Sequence, residues 1–342
     1  MIVLTGGGTG GHLAVAAAVK EALNARGEKP LFIGSSAGQD RQWFEGDGGF
    51  AQTIFLPSRG VMNRRGLGRV FALLNTLQLA WRCRKILKEN RVRAVLSVGG
   101  YSAAPAALAT LTLKKTALFI HEQNAVGGTL NRLLRPFAKA FFSSFEAGGD
   151  CPDYPVKTQF FSRARVRSGV KTVLFLGGSQ GAAAINAFAR QCAPMLSSRG
   201  IQIIHQTGKT ELETMRSFYQ EAGINARCFD FDANVIDAIV QADLAIARAG
   251  AGTLFELTAN ALPALYVPYP HAAGDHQRAN ARFLSDRGLS WQCDQQTLTP
   301  SVLEDLLDRD LSAVSSALGQ QMRPGGADCL ADRLMKEEAQ QH

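Results

Sequence analysis

The feature that most constrains the fold is a glycine-rich turn that occurs twice, half a chain apart. Gly6–Gly11 follows the apolar run Ile2–Thr5, and Gly177–Gly181 follows the apolar run Lys171–Leu176. A glycine turn between a buried strand and a helix is typical of the first unit of a Rossmann-like domain. Because each half of the 342-residue chain begins in this way, the sequence predicts two such domains.

Short apolar runs alternate with helical patterns along the chain, which indicates parallel sheets with helices on both faces. Strands are predicted at Ile2–Thr5, Lys29–Ile33, Ala94–Val98, Ala117–Ile120, Lys171–Leu176, Ile201–His205, Ala226–Phe229, Leu244–Ala247 and Ala264–Val267. Helices are predicted at Leu13–Arg26, Val70–Asn90, Ala103–Leu111, Ala183–Leu196, Thr210–Ala222, Val235–Gln241, Thr253–Asn260 and His276–Arg287. We therefore expect an α/β fold with domains at 1–160 and 165–324, joined by the polar segment Phe160–Gly169, whose sheets face each other across a cleft.

The charge of the chain is unevenly distributed. The formal net charge is +8, yet residues 1–165 carry 22 basic and 10 acidic side chains, whereas the remainder carries 15 basic and 19 acidic ones. An excess of this kind predicts an anionic partner for the front half, which could be nucleic acid, an acidic lipid surface or a phosphorylated substrate.

Cysteine and histidine spacing argues against a metal site. The six cysteines are far apart and include no Cys-x-x-Cys pair, and the six histidines include no pair at helical spacing. We therefore expect neither a zinc site nor a disulfide-dense scaffold. No apolar run is long enough to predict a membrane-spanning helix.

Polar residues follow three predicted strands of the front half, where a parallel sheet binds ligands. The first glycine turn lacks the acid at the end of the second strand that a dinucleotide site requires, since Asp40 is the first one downstream. His12, directly after that turn, is a candidate general base or else a packing histidine. Gly99–Ser102 and His121–Asn124 project to the same edge.

The back half offers a second set of polar turns. Gly177–Gly181 presents Ser179 and backbone amides to a phosphate-sized anion. Arg248–Thr253 is another glycine turn before a helix, and Glu256 in that helix could accept both hydroxyls of a ribose or could simply favour the helix dipole. Asp275, Gln277 and Asn280 are groups that suit a polyhydroxylated ligand.

The basic charge is concentrated in Pro57–Val95, which contains ten Lys or Arg residues and one acid. Apolar residues at helical spacing accompany these charges, which predicts a basic amphipathic helix on an anionic membrane. A core-facing helix with a solvated polar face is the alternative. The predicted membrane contacts are Val70, Leu73, Leu74, Leu77, Trp81, Arg82, Lys85 and Lys88.

Taken together, these motifs resemble the bacterial MurG glycosyltransferase family. The similar stretches occur in family order at Gly6–His12, Gly99–Tyr101, His121–Asn124, Gly177–Ala182, Arg248–Glu256 and Asp275–Asn280. The resemblance implies a GT-B fold and an inverting transfer of N-acetylglucosamine from UDP-N-acetylglucosamine to undecaprenyl-pyrophosphoryl-N-acetylmuramoyl-pentapeptide, as a step of peptidoglycan synthesis. It also implies that the last helix, 325–342, packs back on the front domain.

The resemblance further implies roles for individual residues. His12 is the expected base, with Tyr101 and Glu122 beside it. The expected substrate contacts are Thr9, Gly10, Gly11, Asn124, Lys157, Ser179, Asp232, Ala251, Gly252, Thr253, Leu254, Phe255, Glu256, Gln277 and Asn280. Lys157 stands where the family has arginine, so it keeps the charge but cannot form a bidentate fork.

The resemblance also implies partners and a location. We expect a peripheral protein at the cytoplasmic face of the inner membrane, with no nucleic-acid partner. No tightly bound cofactor is expected, although Mg²⁺ could accompany the donor diphosphate. Alternatives are a GT-B glycosyltransferase or sugar-nucleotide epimerase with another substrate, and a non-catalytic binder of nucleotide sugars or nucleic acid.

Overall fold

A computed structural model describes residues 1–60, 66–146, 148–178, 182–230 and 235–339. The chain divides into two compact units: unit 1 is Met1–Val156 with Gly325–His342, and unit 2 is Lys157–Pro324. The division therefore falls before the segment Phe160–Gly169 that the sequence analysis treats as the junction.

Unit 1 alternates strands and helices along the chain. Its elements are β1 (Ile2–Thr5), α1 (Gly10–Asn24), β2 (Leu31–Ser35), α2 (Asp40–Phe44), β3 (Gln52–Leu56), α3 (Leu67–Glu89), β4 (Ala94–Ser97), α4 (Ala104–Thr110), β5 (Ala117–Glu122), α5 (Thr129–Leu134) and β6 (Ala140–Ser143).

Unit 2 repeats the alternation, and the chain then returns to unit 1. Its elements are α6 (Thr158–Ser162), β7 (Thr172–Leu176), α7 (Ala183–Ser198), β8 (Gln202–Gln206), α8 (Leu212–Glu221), β9 (Ala226–Phe229), α9 (Ile236–Gln241), β10 (Leu244–Ala247), α10 (Ala251–Ala259), β11 (Ala264–Tyr266), α11 (His276–Ser285), β12 (Trp291–Gln292), α12 (Pro300–Leu307) and α13 (Ser312–Leu318). The last helix, α14 (Gly326–Ala339), belongs to unit 1 and packs against α1.

Both sheets are parallel and share one strand order. Unit 1 has the order β3-β2-β1-β4-β5-β6, and unit 2 has β12-β11-β10-β7-β8-β9, which is the same order read from the other side. In each unit the order reverses beside the first strand, so the ligand crevice of such a sheet lies between β1 and β4 and between β7 and β10. The predicted α/β fold with two Rossmann-like domains is confirmed.

The core of unit 1 forms because its inner strands are apolar on both faces. On one face α3 and α4 pack on the sheet, where Leu79, Cys83 and Leu87 meet Val3 and Val95. The helices α1 and α14 pack on β1, and right-handed crossovers place α1 on the other face. This arrangement leaves the carboxyl ends of β1, β4 and β5 open to loops.

The predicted junction is a tightly bound part of unit 2. Arg167 is 1% exposed, and its guanidinium donates hydrogen bonds to the carbonyl oxygens of Ile239 and Ala242 and to Asn260. These acceptors lie at the ends of α9 and α10, where helix carbonyls lack partners and attract cations. The polar segment Phe160–Gly169 is therefore bound to the body of unit 2 through Arg167.

A disulfide bond joins Cys151 to Cys329 within unit 1. It connects the segment before Val156, where the chain leaves unit 1, to the first turns of α14, where the chain has returned. Arg333 of α14 also forms an ion pair with Asp150. This bond could not be predicted from the sequence because the two cysteines lie 178 residues apart.

Candidate active site

The crevice of unit 1 is built from two interlocked glycine turns. The N–H of Gly7 donates to the carbonyl oxygen of Gly99 at 3.1 Å, and a Cβ on Gly6 would approach the same oxygen to 2.5 Å. Gly6, Gly7 and Gly8 all have positive φ, which only glycine adopts without strain. Glycine is therefore required here so that the backbone after β1 can touch the backbone after β4.

His12 lies in the first turn of α1, against the second of these turns. A Cβ on Gly99 would come within 3.1 Å of His12 Nε2, and His12 Nδ1 lies 2.9 Å from Thr9 Oγ1. Thr9 is the N-cap residue of α1, but its hydroxyl pairs with the imidazole and caps no backbone N–H. The N-terminal N–H groups of α1 are therefore oriented as an anion site would require.

Glu122 lies at the end of β5 and organises the loop that follows. Its Oε1 accepts the backbone N–H of Asn124 at 3.0 Å, and its Oε2 accepts the N–H of Gly128 and the Nδ2 of Asn131 at 2.9 and 2.8 Å. The side chain is buried. Its position at the strand edge agrees with the expected one, but its carboxylate is directed to the protein, and its catalytic role remains a prediction.

His121 is a buried, neutral neighbour of this cluster. Burial, with a smaller contribution from the charge of His12, lowers the pKa of His121 to about 3. Its ring packs edge-on against Tyr154, whose hydroxyl donates to Gln123 Oε1. The segment that the disulfide holds thus supports the loop His121–Asn124.

Tyr101 and Asp40 enclose the first glycine turn. A Cβ on Gly8 would lie 2.6 Å from the ring of Tyr101, so the ring covers the turn. Asp40 lies beyond the end of the second strand, where the acid of a dinucleotide site would stand. Its side chain instead accepts the N–H of Gly8 at 2.6 Å. No motif reveals this role, although Asp40 is the first acid after the second strand.

The crevice of unit 2 presents mainly backbone. The helix α10 begins after Gly250, which has no side chain to cap it, so its first N–H groups can bind an anion. Ala251, Leu254 and Phe255 are buried, whereas Gly252, Thr253 and Glu256 are partly accessible. Of the expected contacts in this unit, Ser179 and Asp232 lie outside the described residues.

Glu256 lies in α10, the helix that follows this turn, and its side chain is partly accessible. Burial raises its pKa to about 7, against a smaller lowering by Lys157. Hydroxyl groups that donate to the carboxylate would favour its charged form.

The start of α11 supports the same edge. Gln277 Oε1 accepts the N–H of Tyr269 at 2.9 Å and is partly accessible. Asn280 is 0% exposed, and its Nδ2 donates to the carbonyl oxygen of Ala249. A buried side chain has no surface for direct contact with a sugar, so Asn280 instead holds the turn before α10. Arg248 donates to the carbonyl oxygens of Val267 and Pro268 and holds the adjacent loop.

The predicted apolar stripe of α3 faces solvent. Val70, Phe71, Leu73, Leu74, Leu77 and Trp81 are all exposed, with Trp81 at 72%, while Leu79, Cys83 and Leu87 face the core. The alternative of a core-facing stripe is therefore wrong, and Phe71 extends the apolar set. Arg82, Lys85 and Lys88 are exposed on the same helix.

Other exposed apolar side chains of unit 1 lie outside α3. Leu111 follows α4, Val126 precedes α5, and Leu133 and Phe137 lie on and after α5. Within the described part of unit 1, α1, α2 and α14 expose no large apolar side chain. The exposed large apolar side chains of unit 1 therefore lie on α3 and in the segments around α4 and α5.

No group of three His, Cys, Asp or Glu side chains among the described residues could hold a metal ion. No helix that the structure describes is long and apolar enough to cross a membrane.

Comparison with known proteins gives consistent results over nearly the full length. Residues 2–143 match the N-terminal domain of glycosyltransferase family 28, and residues 172–324 match its C-terminal domain. The chain is 51% identical to the UDP-N-acetylglucosamine--N-acetylmuramyl-(pentapeptide) pyrophosphoryl-undecaprenol N-acetylglucosamine transferase of Wolinella succinogenes, over 98% of this chain and 99% of the relative. It is 49% identical to the enzyme of the same name from Campylobacter fetus subsp. fetus, over 98% and 100%.

A solved structure agrees with these relatives. The crystal structure of Acinetobacter baumannii MurG superimposes with a TM-score of 0.75 at 29% identity, covering 98% of this chain and 99% of that one. The similarity therefore extends over both units and is not confined to one motif.

Proposed function

The chain belongs to glycosyltransferase family 28, and from this premise we propose that it transfers N-acetylglucosamine from UDP-N-acetylglucosamine to undecaprenyl-pyrophosphoryl-N-acetylmuramoyl-pentapeptide. The observation that carries the proposal is the 51% identity, over 98% of the chain, to a relative named for this reaction. The order of motifs along both units supports it. The reaction is a step of peptidoglycan synthesis.

The two units take different parts of the reaction in this proposal. Unit 1 binds the acceptor, and His12 Nε2 removes the proton of the acceptor hydroxyl. If His12 Nδ1 donates its proton to Thr9 Oγ1, the lone pair is on Nε2, as a general base requires. Tyr101 and Asn124 line this side, and Thr9, Gly10 and Gly11 contact a diphosphate.

Unit 2 binds the nucleotide sugar. The N-terminal N–H groups of α10 stabilise the diphosphate as it leaves, and Glu256 accepts the ribose hydroxyls. Gln277 binds the sugar hydroxyls, and Lys157 adds positive charge near the donor. The acceptor hydroxyl displaces UDP in one step, which inverts the anomeric carbon and needs no covalent nucleophile. Mg²⁺ could accompany the diphosphate in solution, and the residues described here supply no protein site for it.

We also propose that α3 places the protein on the inner, cytoplasmic face of an anionic membrane. Six exposed apolar side chains and a basic flank on one helix support this surface. Such a surface would keep the enzyme beside a lipid-linked acceptor. The apolar stripe of α3 beside the basic charge of Pro57–Val95 favours lipid over nucleic acid as the anionic partner.

The experiment supplies radiolabelled UDP-N-acetylglucosamine and the lipid-linked muramoyl-pentapeptide to the purified protein. We expect label in the lipid fraction and release of one UDP for each sugar transferred. UDP-glucose in place of the donor, and an acceptor-free reaction, are the controls. Absence of labelled lipid would reject the specific reaction, and conversion of the nucleotide sugar without acceptor would favour an epimerase.

A further inference from the structure

Asp40 is a buried carboxylate that binds the backbone of the first glycine turn. It is 0% exposed and begins the short helix α2. Its Oδ1 accepts the N–H of Gly8 at 2.6 Å, and its Oδ2 accepts the N–H of Ser35 at 2.7 Å. The side chain therefore ties the loop after β1 to the end of β2 with two charge-assisted hydrogen bonds.

The loop leaves no space for a ligand at this carboxylate. A Cβ on Gly7 would approach the Asp40 oxygens to 2.6 Å, and a Cβ on Gly38 would approach Oδ1 to 3.1 Å. The turn thus wraps around an anion that the protein itself supplies. Because like charges repel strongly in a buried place, a substrate phosphate is excluded from Gly6–Gly8 and is left to the N–H groups at the start of α1.

A short path connects Asp40 to the imidazole of His12. Gly8, which Asp40 holds, is followed directly by Thr9, and Thr9 Oγ1 lies 2.9 Å from His12 Nδ1. The neighbouring Gly7 donates to Gly99, and Gly99 lies against the other side of the His12 ring. These two contacts of the imidazole therefore depend on the conformation of the turn that Asp40 fixes.

We propose that Asp40 is a positioning residue for His12, acting through Gly8 and Thr9. The inference rests on the proposed function, in which His12 is the base. Asp40 does not touch the substrate. Its carboxylate holds the turn so that Thr9 fixes the orientation of the imidazole and presents Nε2 to the acceptor hydroxyl.

Asp40→Asn is the most informative variant because it keeps the size of the side chain. The amide has one oxygen in place of two. It can accept the N–H of Gly8 or of Ser35, and its NH₂ group must then face the remaining N–H group. We expect kcat for transfer to fall about 10- to 100-fold, while KM for UDP-N-acetylglucosamine stays within about twofold of the wild type, since unit 2 binds the donor. A general loss of structure would change both.

A double-mutant cycle distinguishes positioning from an independent effect. If Asp40 acts through His12, adding Asp40→Asn to His12→Ala should lower kcat by less than about twofold. A full additional 10-fold loss in that background would overturn the proposal, and so would an unchanged kcat in the single variant. Failure of the wild type to transfer sugar would instead reject the proposed function.

Asp243 provides a matched control in unit 2. It is also a buried carboxylate, and it accepts the backbone N–H groups of Lys171 and Thr172 and pairs with Arg165. It lies at the amino ends of β7 and β10, away from either crevice. Asp243→Asn should therefore leave kcat within about twofold of the wild type even where it lowers thermal stability.

Thr9→Val tests the same path if Asp40→Asn does not fold. Thr9 is at the surface, and the variant replaces the hydroxyl that pairs with His12 Nδ1 by a methyl group; its combination with His12→Ala separates this pairing from any contact of Thr9 with the substrate. We expect a similar fall in kcat and little further loss when it is combined with His12→Ala. An unchanged kcat in Thr9→Val would overturn the path from Asp40 to His12. So would a fall in kcat of the same factor when Thr9→Val is added to His12→Ala.

Discussion

The two units have one fold and two different kinds of ligand edge. Both sheets reverse their order beside the first strand, and both carry glycine turns there. In unit 1 the edge carries several polar and aromatic side chains: His12 lies in the first turn of α1, His121 and Glu122 end β5, and Tyr101 covers the first glycine turn. In unit 2 the described part of the edge is mostly backbone N–H groups, with Glu256 as its carboxylate.

A repeated fold therefore determines where a ligand binds but not which reaction the ligand undergoes. Helix N-termini bind a phosphate by geometry and dipole, and they need few side chains. A proton transfer needs a titratable group that is held in one orientation, and this requires partners such as Thr9 and Gly99. We therefore assign the acid–base chemistry to unit 1 and donor binding to unit 2.

The largest effect should come from His12. We expect His12→Ala to lower kcat by about 10²- to 10⁴-fold, the usual contribution of a general base. Initial rates of sugar transfer at saturating donor and acceptor measure it. Substitution of His205, a histidine of unit 2 that is buried between Tyr219 and Asn186, is the control and should change stability more than kcat. If His12→Ala transferred sugar as fast as the wild type, the general base would not be His12 of unit 1.

Charge reversal on α3 should give the next largest effect. Changing Arg82, Lys85 and Lys88 together to Glu should weaken binding to anionic vesicles by about 100-fold or more, since each basic residue contributes about 1 kcal/mol. Vesicle sedimentation measures this binding. The matched variant reverses three exposed basic residues of unit 2, namely Lys171, Lys209 and Arg287. If both triple variants bind vesicles like the wild type, α3 is not a membrane surface.

Donor affinity should depend on pH through Glu256. The raised pKa of about 7 means that the carboxylate gains its charge as the pH rises through 7. Because the charged form accepts hydroxyl groups better, KM for the donor should fall between pH 6 and 8 and then level off. Glu256→Gln should raise KM about 10-fold at pH 8 and abolish this pH dependence. An unchanged pH profile in the variant would contradict the assignment.

The same carboxylate should reduce stability. A folded-state pKa above the ordinary value of 4.5 means that stability is lost as the pH rises from that value through 7. Glu256→Gln should therefore increase the free energy of unfolding of unit 2 at pH 8 by roughly 1–3 kcal/mol. Chemical denaturation at pH 5 and pH 8 tests the sign, because the gain should be much smaller at pH 5.

The smallest functional effect should come from the disulfide of unit 1. Replacing Cys151 and Cys329 by Ser should lower the free energy of unfolding by about 2–4 kcal/mol, since the bond restricts the unfolded chain. Thermal unfolding with and without reductant measures it. The buried Cys192 of unit 2 is free, and its substitution by Ala is the control. This variant should lose the same stability on reduction as the wild type does.

The inner strands were predictable because burial on both faces leaves a clear apolar run, as in β1 and β10. The strands β3, β6 and β12 were missed; they lie at the edges of the sheets and are only partly buried, which weakens the apolar signal, although the edge strand β9 was predicted. The burial of Arg167 could not be predicted, because a charged residue is normally exposed and its guanidinium is buried only by pairing with carbonyl oxygens at helix ends. The edge residues His12 and Glu122 were predictable from strand ends, which the topology brings together.

Contacts across long stretches of chain could not be predicted. The hydrogen bond from Gly8 to Asp40 spans 32 residues, and no local pattern distinguishes that acid from a surface one. The burial of Asn280 depends on how α11 packs against α10, so its side chain could be expected at the right turn but not with the right orientation.

Titration of UDP into the wild type, His12→Ala and Glu256→Gln at pH 8 is the most direct test that unit 2 binds the donor and unit 1 supplies the base. Calorimetry on the three full-length proteins gives Kd without any contribution from turnover. We predict that His12→Ala binds UDP within about twofold of the wild type, whereas Glu256→Gln binds about tenfold more weakly. A large loss of UDP affinity in His12→Ala, or none in Glu256→Gln, would contradict the separate roles of the two units.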